Sequence, residues 1–563
     1  MQQPYDIAII GSGIAGSALG AILARQGQRV VIFEAKSHPR FAIGESMILE
    51  TSETLRAMAE IYDVPELAYF SSENYFAYAG TSHGVKRHFS YLYHEEQRSQ
   101  DPRQALQAII PKQPYGHELH LYRQDTDYFM MMTAVSYGAT VLQNTPVQDV
   151  AIDDEGVEVI TADGERYRAN YVVDAGGFRS VLAQKFDLRD FNQQTHSRAI
   201  FTHMVDVPCY HDVDLSQKAY GLPYRVSEGT LHHLFPGGWL WVIPFDNHPR
   251  STNPLCSVGL MLDPRVYPMQ TDLSPEEEFQ AVIERFPSIH AQLKGARPVR
   301  DWTRTGRIQY SSKQIVGDRF CLLGHAAGFI DPLFSKGLYA SLMSTSILAD
   351  LLLDAHETGD YSAARFQPLE QSTRAFIQSH DRLIANSYKS FDNYKLWVLV
   401  SVLWLAGAYT ELVMLSSIRL QSKDRRAYYE KARQLKLVGG GFDEFDAMAE
   451  QVYDILEEVN PASEAEVDRA YEEIKAIFEA VEWMPRPFID LLYGKTYLPT
   501  NKIRLSLFKK DQGFLGKGAY RQHFFGDHSM AEVSKVFLLD KVAYSTPVLN
   551  LKRRRGFRRR AES

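Results

Sequence analysis

The chain has 563 residues, 45% of them hydrophobic and 23% charged, an ordinary globular composition with too much length for one simple core. A net charge of -8 argues against a general nucleic-acid binder, and three cysteines, Cys209, Cys256 and Cys321, scattered in apolar settings, argue against a disulfide framework. No charged leader with an apolar core precedes the first strand, so a cytoplasmic protein is expected.

That first strand is the apolar run Ile7 to Ile10, which breaks into Gly11-Ser12-Gly13-Ile14-Ala15-Gly16. In this G-x-G-x-x-G spacing Gly11 permits a tight turn, Gly13 lets a pyrophosphate approach the backbone, and Gly16 lets the following helix pack on the strand. The helix N-terminus, with Ile14 and Ala15, offers free N–H groups to phosphates. A second strand ends at Glu34, placed to accept the hydroxyls of an adenosine ribose.

A loop from Pro39 to Ser46 leads into a helix expected from about Ile48 to Ile61. Phe70 to Tyr93 is aromatic without sustained period and reads as a substrate-facing excursion. Tyr122 opens a helix to about Tyr137, with Gly138 as its stop. Three short strands follow, Val147 to Ile152, Val157 to Thr161 and Tyr167 to Val173, ending in Asp174-Ala175-Gly176. From Ser197 to Leu262 apolar and polar residues alternate, as in a second, antiparallel sheet, and Trp239-Leu240-Trp241-Val242-Ile243-Pro244 lies within it. His232 and His233 lack further ligands, so no metal site is expected. A third glycine-rich return follows at Phe320 to Leu338, including Gly324-His325 and Asp331. Three separated segments converging on one dinucleotide suit FAD, which is long and buried.

Beyond about Ser379 the chain reads as helical, with Ser463-x-x-Glu466 as a capping box and an acidic stretch from Asp443 to Glu482 whose charges are expected to face solvent. The apolar run Leu396 to Thr410 stops at Glu411, short of the roughly 20 residues a membrane span needs, so a buried or tunnel-lining helix is expected rather than membrane contact. A basic tail, Lys552 to Arg560, closes the chain. The expected organisation is α/β. A Rossmann-type FAD domain (1–190, returning at 301–378) carries an inserted antiparallel substrate domain (191–300), a helical C-terminal addition (379–550) and the tail (551–563).

Over about the first 370 residues the chain resembles the flavin-dependent halogenases and their FAD monooxygenase relatives of the aromatic-hydroxylase fold. The resemblance rests on Gly11, Gly13, Gly16, Glu34, Gly44-Glu45-Ser46, Arg123 with Asp127, and Asp174-Ala175-Gly176. Narrower matches are Trp239-x-Trp241-x-Ile243-Pro244 and Phe329-Ile330-Asp331-Pro332-Leu333-Phe334-Ser335-x-Gly337. It implies FAD held by Gly11, Gly13, Ile14, Ala15, Gly16, Glu34, Ser46, Arg123, Asp174, Gly324, His325, Asp331, Gly337 and Leu338. Electrons would come from NAD(P)H or a flavin reductase, and O2 would be activated as a flavin C4a-hydroperoxide. In halogenases a halide near the loop equivalent to Ser335 to Leu338 then yields hypohalous acid, which reaches a lysine beside the substrate, while the paired tryptophans keep substrate from the flavin.

Two positions depart from that pattern. The family lysine expected after the first helix falls at or near Glu73, and histidine replaces aspartate in Gly324-His325. Because a carboxylate cannot do the work of an ammonium, the expected reaction is oxygenation of an aromatic or electron-rich substrate, small or carrier-tethered. Trp239, Trp241, Lys336 at the flavin edge and Glu73 as base are the candidate catalytic residues. The alternatives are a halogenase with a displaced lysine, Lys86 or Lys112, a flavin-dependent reductase of isoprenoid double bonds, and a non-catalytic flavin-binding protein.

Overall fold

A computed structural model describes residues 4–112, 116–422, 424–436, 438–499, 518–526 and 528–545; the expected basic tail lies outside the described residues. β1 (Tyr5–Ile10), β2 (Val30–Phe33) and the helix between them, α1 (Ile14–Arg25), form the expected unit. The apolar faces of both strands are buried on either side, as a parallel strand covered by helices requires. The sheet continues through β7 (Thr140–Leu142) on one side, and through β10 (Arg166–Asp174) and β15 (Phe320–Leu322) on the other, all parallel. β8 (Val147–Ile152) and β9 (Val157–Thr161) extend β10 as the antiparallel meander read from the sequence. Helices α2 (Leu49–Tyr62) and α4 (Arg123–Ser136) also fall where expected.

The second sheet is larger than its sequence signal. β11 (Arg198–Val205), β14 (Cys256–Leu262), β13 (Gly238–Pro244) and β12 (Thr230–Phe235) pair antiparallel, and then β4 (His88–Tyr93) joins β12 in parallel with β5 (Ala105–Ile109) beyond it. The excursion expected over Phe70 to Tyr93 is therefore corrected. It contains a short exposed-edge helix, α3 (Ser72–Tyr78), then β3 (Gly84–Lys86) and the wholly buried β4. No period of two marks β4 because both of its faces are covered, so His88, Phe89, Ser90, Tyr91, Leu92 and Tyr93 are all interior.

Alternation along β13 sorts the sheet's two faces. Leu240 and Val242 pack against α5 (Pro275–Ile283) and α6 (Pro287–Leu293), whereas Trp239, Trp241 and Ile243 belong to the main core shared with the FAD domain. A two-stranded pair, β3 with β6 (Glu118–His120), bridges these layers.

Helices α7 (Lys336–Thr358), α8 (Ala363–Ser390) and α9 (Tyr394–Gln421) then wrap the core. The reading that stopped the apolar run at Glu411 falls short here. Glu411 is fully buried and ion-paired with Lys336, so α9 runs on for 28 residues. By length and composition alone α7 and α9 could each cross a membrane, and both are mostly buried in the fold. α10 (Asp443–Glu458) and α11 (Glu464–Ala480) complete the helical addition, with α12 (Met530–Ser545) beyond them. Ser463 Oγ accepts from Glu466 N as a capping box would, but the Glu466 carboxylate turns back to Asn460 N instead. The acidic face of α10 is not wholly solvated either, because Glu450, Asp454 and Glu457 surround Arg382 of α8.

Candidate active site

The N-terminal glycines make a cradle open at one point. Gly11 sits at φ +101°, and a Cβ there would lie 2.7 Å from the Ala175 carbonyl oxygen; a Cβ on Gly16 would lie 2.2 Å from Gly11 O. At Gly13 the same Cβ would meet only the Arg40 guanidinium, at 3.7 Å, which leaves room above the N-terminus of α1 where Ile14 and Ala15 begin the helix. Glu34 faces this opening. Burial raises its pKa, yet Arg40, with bonds from Ser12 and Lys36, outweighs burial and holds the carboxyl below its ordinary value. An anionic carboxylate to accept from ribose hydroxyls, beside an uncovered glycine turn whose N–H groups can donate to phosphates, is what an adenosine diphosphate moiety needs.

The other two segments reach the same cleft. Arg123 forks onto Asp127 at 2.8 and 3.0 Å and donates to the carbonyls of Ile43 and Gly44 at 2.7 and 3.0 Å, so it shapes the loop before α2. Asp174 spends both oxygens on the turn after β10, accepting from Gly176 N, Ser180 Oγ and Leu182 N. Gly324 takes φ +58°, and a Cβ on Gly337 would stand 3.3 Å from His325 Nε2, so the histidine ring lies over the start of α7. Arg189, which carries no sequence signal, ties these loops together by donating to the carbonyls of Ala326, Gly177 and Phe178.

Several expected contacts go elsewhere. Ser46 Oγ turns to Thr230 Oγ1 at 2.8 Å in the second sheet. Asp331 is buried among Ser197, Leu333 N and Tyr388, with the Trp239 indole beside it, and burial pushes its pKa up to about 7. Leu338 packs in the core. Lys336, expected at the flavin edge, instead buries its ammonium between Glu50 of α2, at 2.9 Å, and Glu411 of α9. Residue 336 opens α7, where a side chain leans back over the preceding turn toward α2 and away from the cleft. Glu73, expected as a base, lies on α3 with its side chain 54% exposed, opposed by Lys112 at 3.9 Å and Arg250 at 3.7 Å, and is a surface residue. Lys112 is exposed too.

Lys86 is the contrast. It ends β3, is 0% exposed, and places Nζ 3.3 Å from Ser335 Oγ and 3.4 Å over the Phe89 ring. Burial drives its pKa well below the ordinary lysine value, and Glu118 and Glu50 oppose that only in part. Ser335 itself is held at φ +57° at the mouth of α7, a strained position for a residue with a Cβ.

Behind Phe89, the ring that Lys86 Nζ lies over, opens a cavity of about 500 Å³; Lys112 and Lys336 are the lysines on its lining, and Lys86 reaches it through Phe89. Phe89, Ile110, Phe334, Trp404, Leu412 and Phe488 make its apolar wall, and Glu50, Lys336, Arg419 and Asp540 are among the charged residues that line it. Phe334 stacks on Trp404 at 4.6 Å, and behind this wall ring packing runs through Phe89, Tyr91 and His232 to Trp239 and Trp241. The two tryptophans are buried on the face toward the FAD domain, and Trp241 Nε1 donates to Ser257 Oγ at 3.1 Å.

Residues 4–379 match the FAD-binding-domain family model. The chain is 46% identical over 409 residues to monodechloroaminopyrrolnitrin halogenase PrnC of Pseudomonas fluorescens, covering 72% of this chain and 71% of that one. The chain belongs to the flavin-dependent halogenases. It is also 44% identical to the tetracycline 7-halogenase of Kitasatospora aureofaciens, over 72% of this chain and 74% of that one. The crystal structure of halogenase PltM in complex with phloroglucinol and FAD superposes with a TM-score of 0.80 at 33% identity, covering 84% of this chain and 95% of that one.

Membership in the halogenase family makes FAD the cofactor, and the cradle, the Glu34 carboxylate and the loop held by Arg123 fit it. The buried Lys86 stands thirteen residues beyond Glu73, at the end of a three-residue strand too short to announce itself by periodicity. Arg189 and Glu118 carry no local signal because each meets a partner distant in sequence, and Arg40, only six residues after Glu34, follows no spacing rule.

Proposed function

We propose that this protein halogenates a free, electron-rich aromatic small molecule held in the cavity behind Phe89, and that Lys86, not Glu73 or Lys336, is the lysine that delivers the halogen. When bound, FAD supplies O2 activation and, with a halide, the oxidising halogen species. The chain's own residues do the rest. The apolar wall excludes water and orients a planar ring, a role for which about 500 Å³ is ample for a molecule of one to three rings. Phe334 and Trp404 offer aromatic surface to such a ring, while Trp239 and Trp241 lie in the core behind the cavity lining. Lys86 stands between the α7 mouth, by its contact with Ser335, and the cavity wall, by its contact with Phe89. A desolvated amine at that junction can hold a hypohalous acid or carry the halogen itself.

The observation that carries the reading is the buried amino group of Lys86 at the meeting of loop and cavity. It supports halogenation over simple oxygenation, because an oxygenase needs no lysine there. Lys86→Met, tested with reduced FAD, O2 and chloride or bromide on a phenolic or pyrrolic panel, is expected to abolish halogenated product, about 10³-fold or more, while FAD binding and flavin reoxidation persist. Halide-independent hydroxylated product from the wild type would return the reading to oxygenation.

A further inference from the structure

We infer that Glu118 is the positioning carboxylate of Lys86, the counter-charge that holds its ammonium at the junction of loop and cavity; the inference rests on the role proposed for Lys86 above. Glu118 is the residue directly across from Lys86 in the β3–β6 pair. Directly opposed residues of an antiparallel pair send their side chains to the same face. Both are buried, at 0% and 1% exposure. One oxygen of Glu118, Oε2, accepts from Ser52 Oγ of α2, while Oε1 is buried with no hydrogen-bond partner among the described residues.

The neighbouring charges are already committed. Glu50 is ion-paired to Lys336, and Glu53 to Arg56 and Arg419. Glu118 is thus the carboxylate near Lys86 without a salt bridge among the described residues, and its attraction is the larger of the two that oppose the loss of the Lys86 proton. The three histidines packed around the pair, His88, His120 and His232, are pushed by burial far below neutrality, so they stay uncharged and supply no competing cation. Arg56 and Glu50 on α2 are the other charges that Glu118 feels. Burial raises the Glu118 pKa to about 7, despite the bond from Ser52 and the cations Arg56 and Lys86. A carboxylate left partly unbonded in the interior is costly. The cost has a purpose if the charge is needed to keep an ammonium where no salt bridge reaches it.

The test compares wild type, Glu118→Gln and Ser52→Ala as full-length FAD-loaded proteins, with an aromatic substrate and halide shown to yield halogenated product. The amide of Glu118→Gln keeps the shape and still accepts from Ser52, so only the charge is lost. Glu118→Gln is expected to match wild-type turnover near pH 5.5, where the wild-type carboxyl is protonated, and to fall about tenfold or more below it at pH 8, with KM and FAD affinity unchanged. Ser52→Ala, which removes the bond and leaves the charge, should stay within about threefold of wild type at both pH values. Independently of turnover, the apo Glu118→Gln protein should gain in Tm over wild type as pH rises from 5.5 to 8, because only the wild type must then bury an ionised Glu118. Equal turnover of wild type and Glu118→Gln at pH 8, a loss that is the same at both pH values, or a Ser52→Ala loss as large as that of Glu118→Gln would overturn the inference while leaving the halogenase reading intact. A wild type with no halide-dependent product would overturn both.

Discussion

Two lysines are buried within reach of the same helix, α2, and the fold treats them in opposite ways. Lys336 lies between Glu50 and Glu411, and that pair, outweighing burial, raises its pKa above the ordinary value. Lys86, almost equally buried, has a serine hydroxyl, an aromatic ring and an uncommitted carboxylate across the strand pair, and burial lowers its pKa. A fully paired ammonium is a structural cross-link, here tying α2, α7 and α9 together. An underpaired one retains reactivity that the fold has not used, and such groups gather where chemistry is done.

The contrast breaks most visibly at Lys336. Removing the cation leaves Glu50 and Glu411 facing each other in the interior, and loss of one partner from a buried ionic cluster costs about 3–5 kcal/mol. Lys336→Met is therefore expected to lower thermal and denaturant midpoints sharply, with FAD affinity falling only as far as the fold does. If Lys336→Met unfolds like wild type but loses FAD, the side chain belongs to the cofactor after all.

The mirror substitution sharpens the comparison. Lys86→Met removes a desolvated amine with no salt bridge among the described residues and puts an unbranched apolar chain of similar length in its place. Stability should stay within about 1 kcal/mol of wild type at pH 6, because the recovered desolvation is offset by the lost cation–π contact with Phe89, while Glu118, whose pKa already lies at about 7, meets the loss of its counter-charge by staying protonated. Activity should vanish in the same protein. A variant both inactive and strongly destabilised would place Lys86 with Lys336 as a structural residue.

What the sequence made legible follows the range of the interactions involved. The first βαβ unit, the meander and the third glycine-rich return were readable because strand, turn and helix signals lie within thirty residues of one another. Helix α2 and the tryptophan strand were readable for the same reason. The site was legible only where it is local. Glu34 and the Gly11 to Gly16 turn stand where the motif puts them, whereas Lys86 and Glu118 meet by strand pairing across 32 residues, and Lys336 finds Glu411 across 75. The sequence alone also could not tell that β4 joins the second sheet, because a strand covered on both faces shows no alternation. Nor could it show where the Lys336 side chain turns, which depends on the first turn of α7 packing against α2 and α9.

Glu411 gives the smallest and most specific test. Burial pushes its pKa up to about 8, with Glu50 adding to the rise and Lys336 opposing it. Its folded pKa thus lies above the value of about 4.3 for an exposed glutamate. The sign follows: the folded form favours the protonated acid, so this contribution is fully present below about pH 4 and is lost as pH rises through 8. Across pH 6 to 8 the wild-type chain should lose stability at about 1 kcal/mol per pH unit on this account, while Glu411→Gln, neutral throughout and able to accept from Lys336 through its amide oxygen, should show a flatter slope. The readout is the difference between the two Tm profiles, which cancels the titrations they share, Asp331 and Glu118 among them. Parallel profiles would mean that Lys336 holds Glu411 ionised at every pH, making the cluster an ion triad in place of one ion pair with a protonated neighbour.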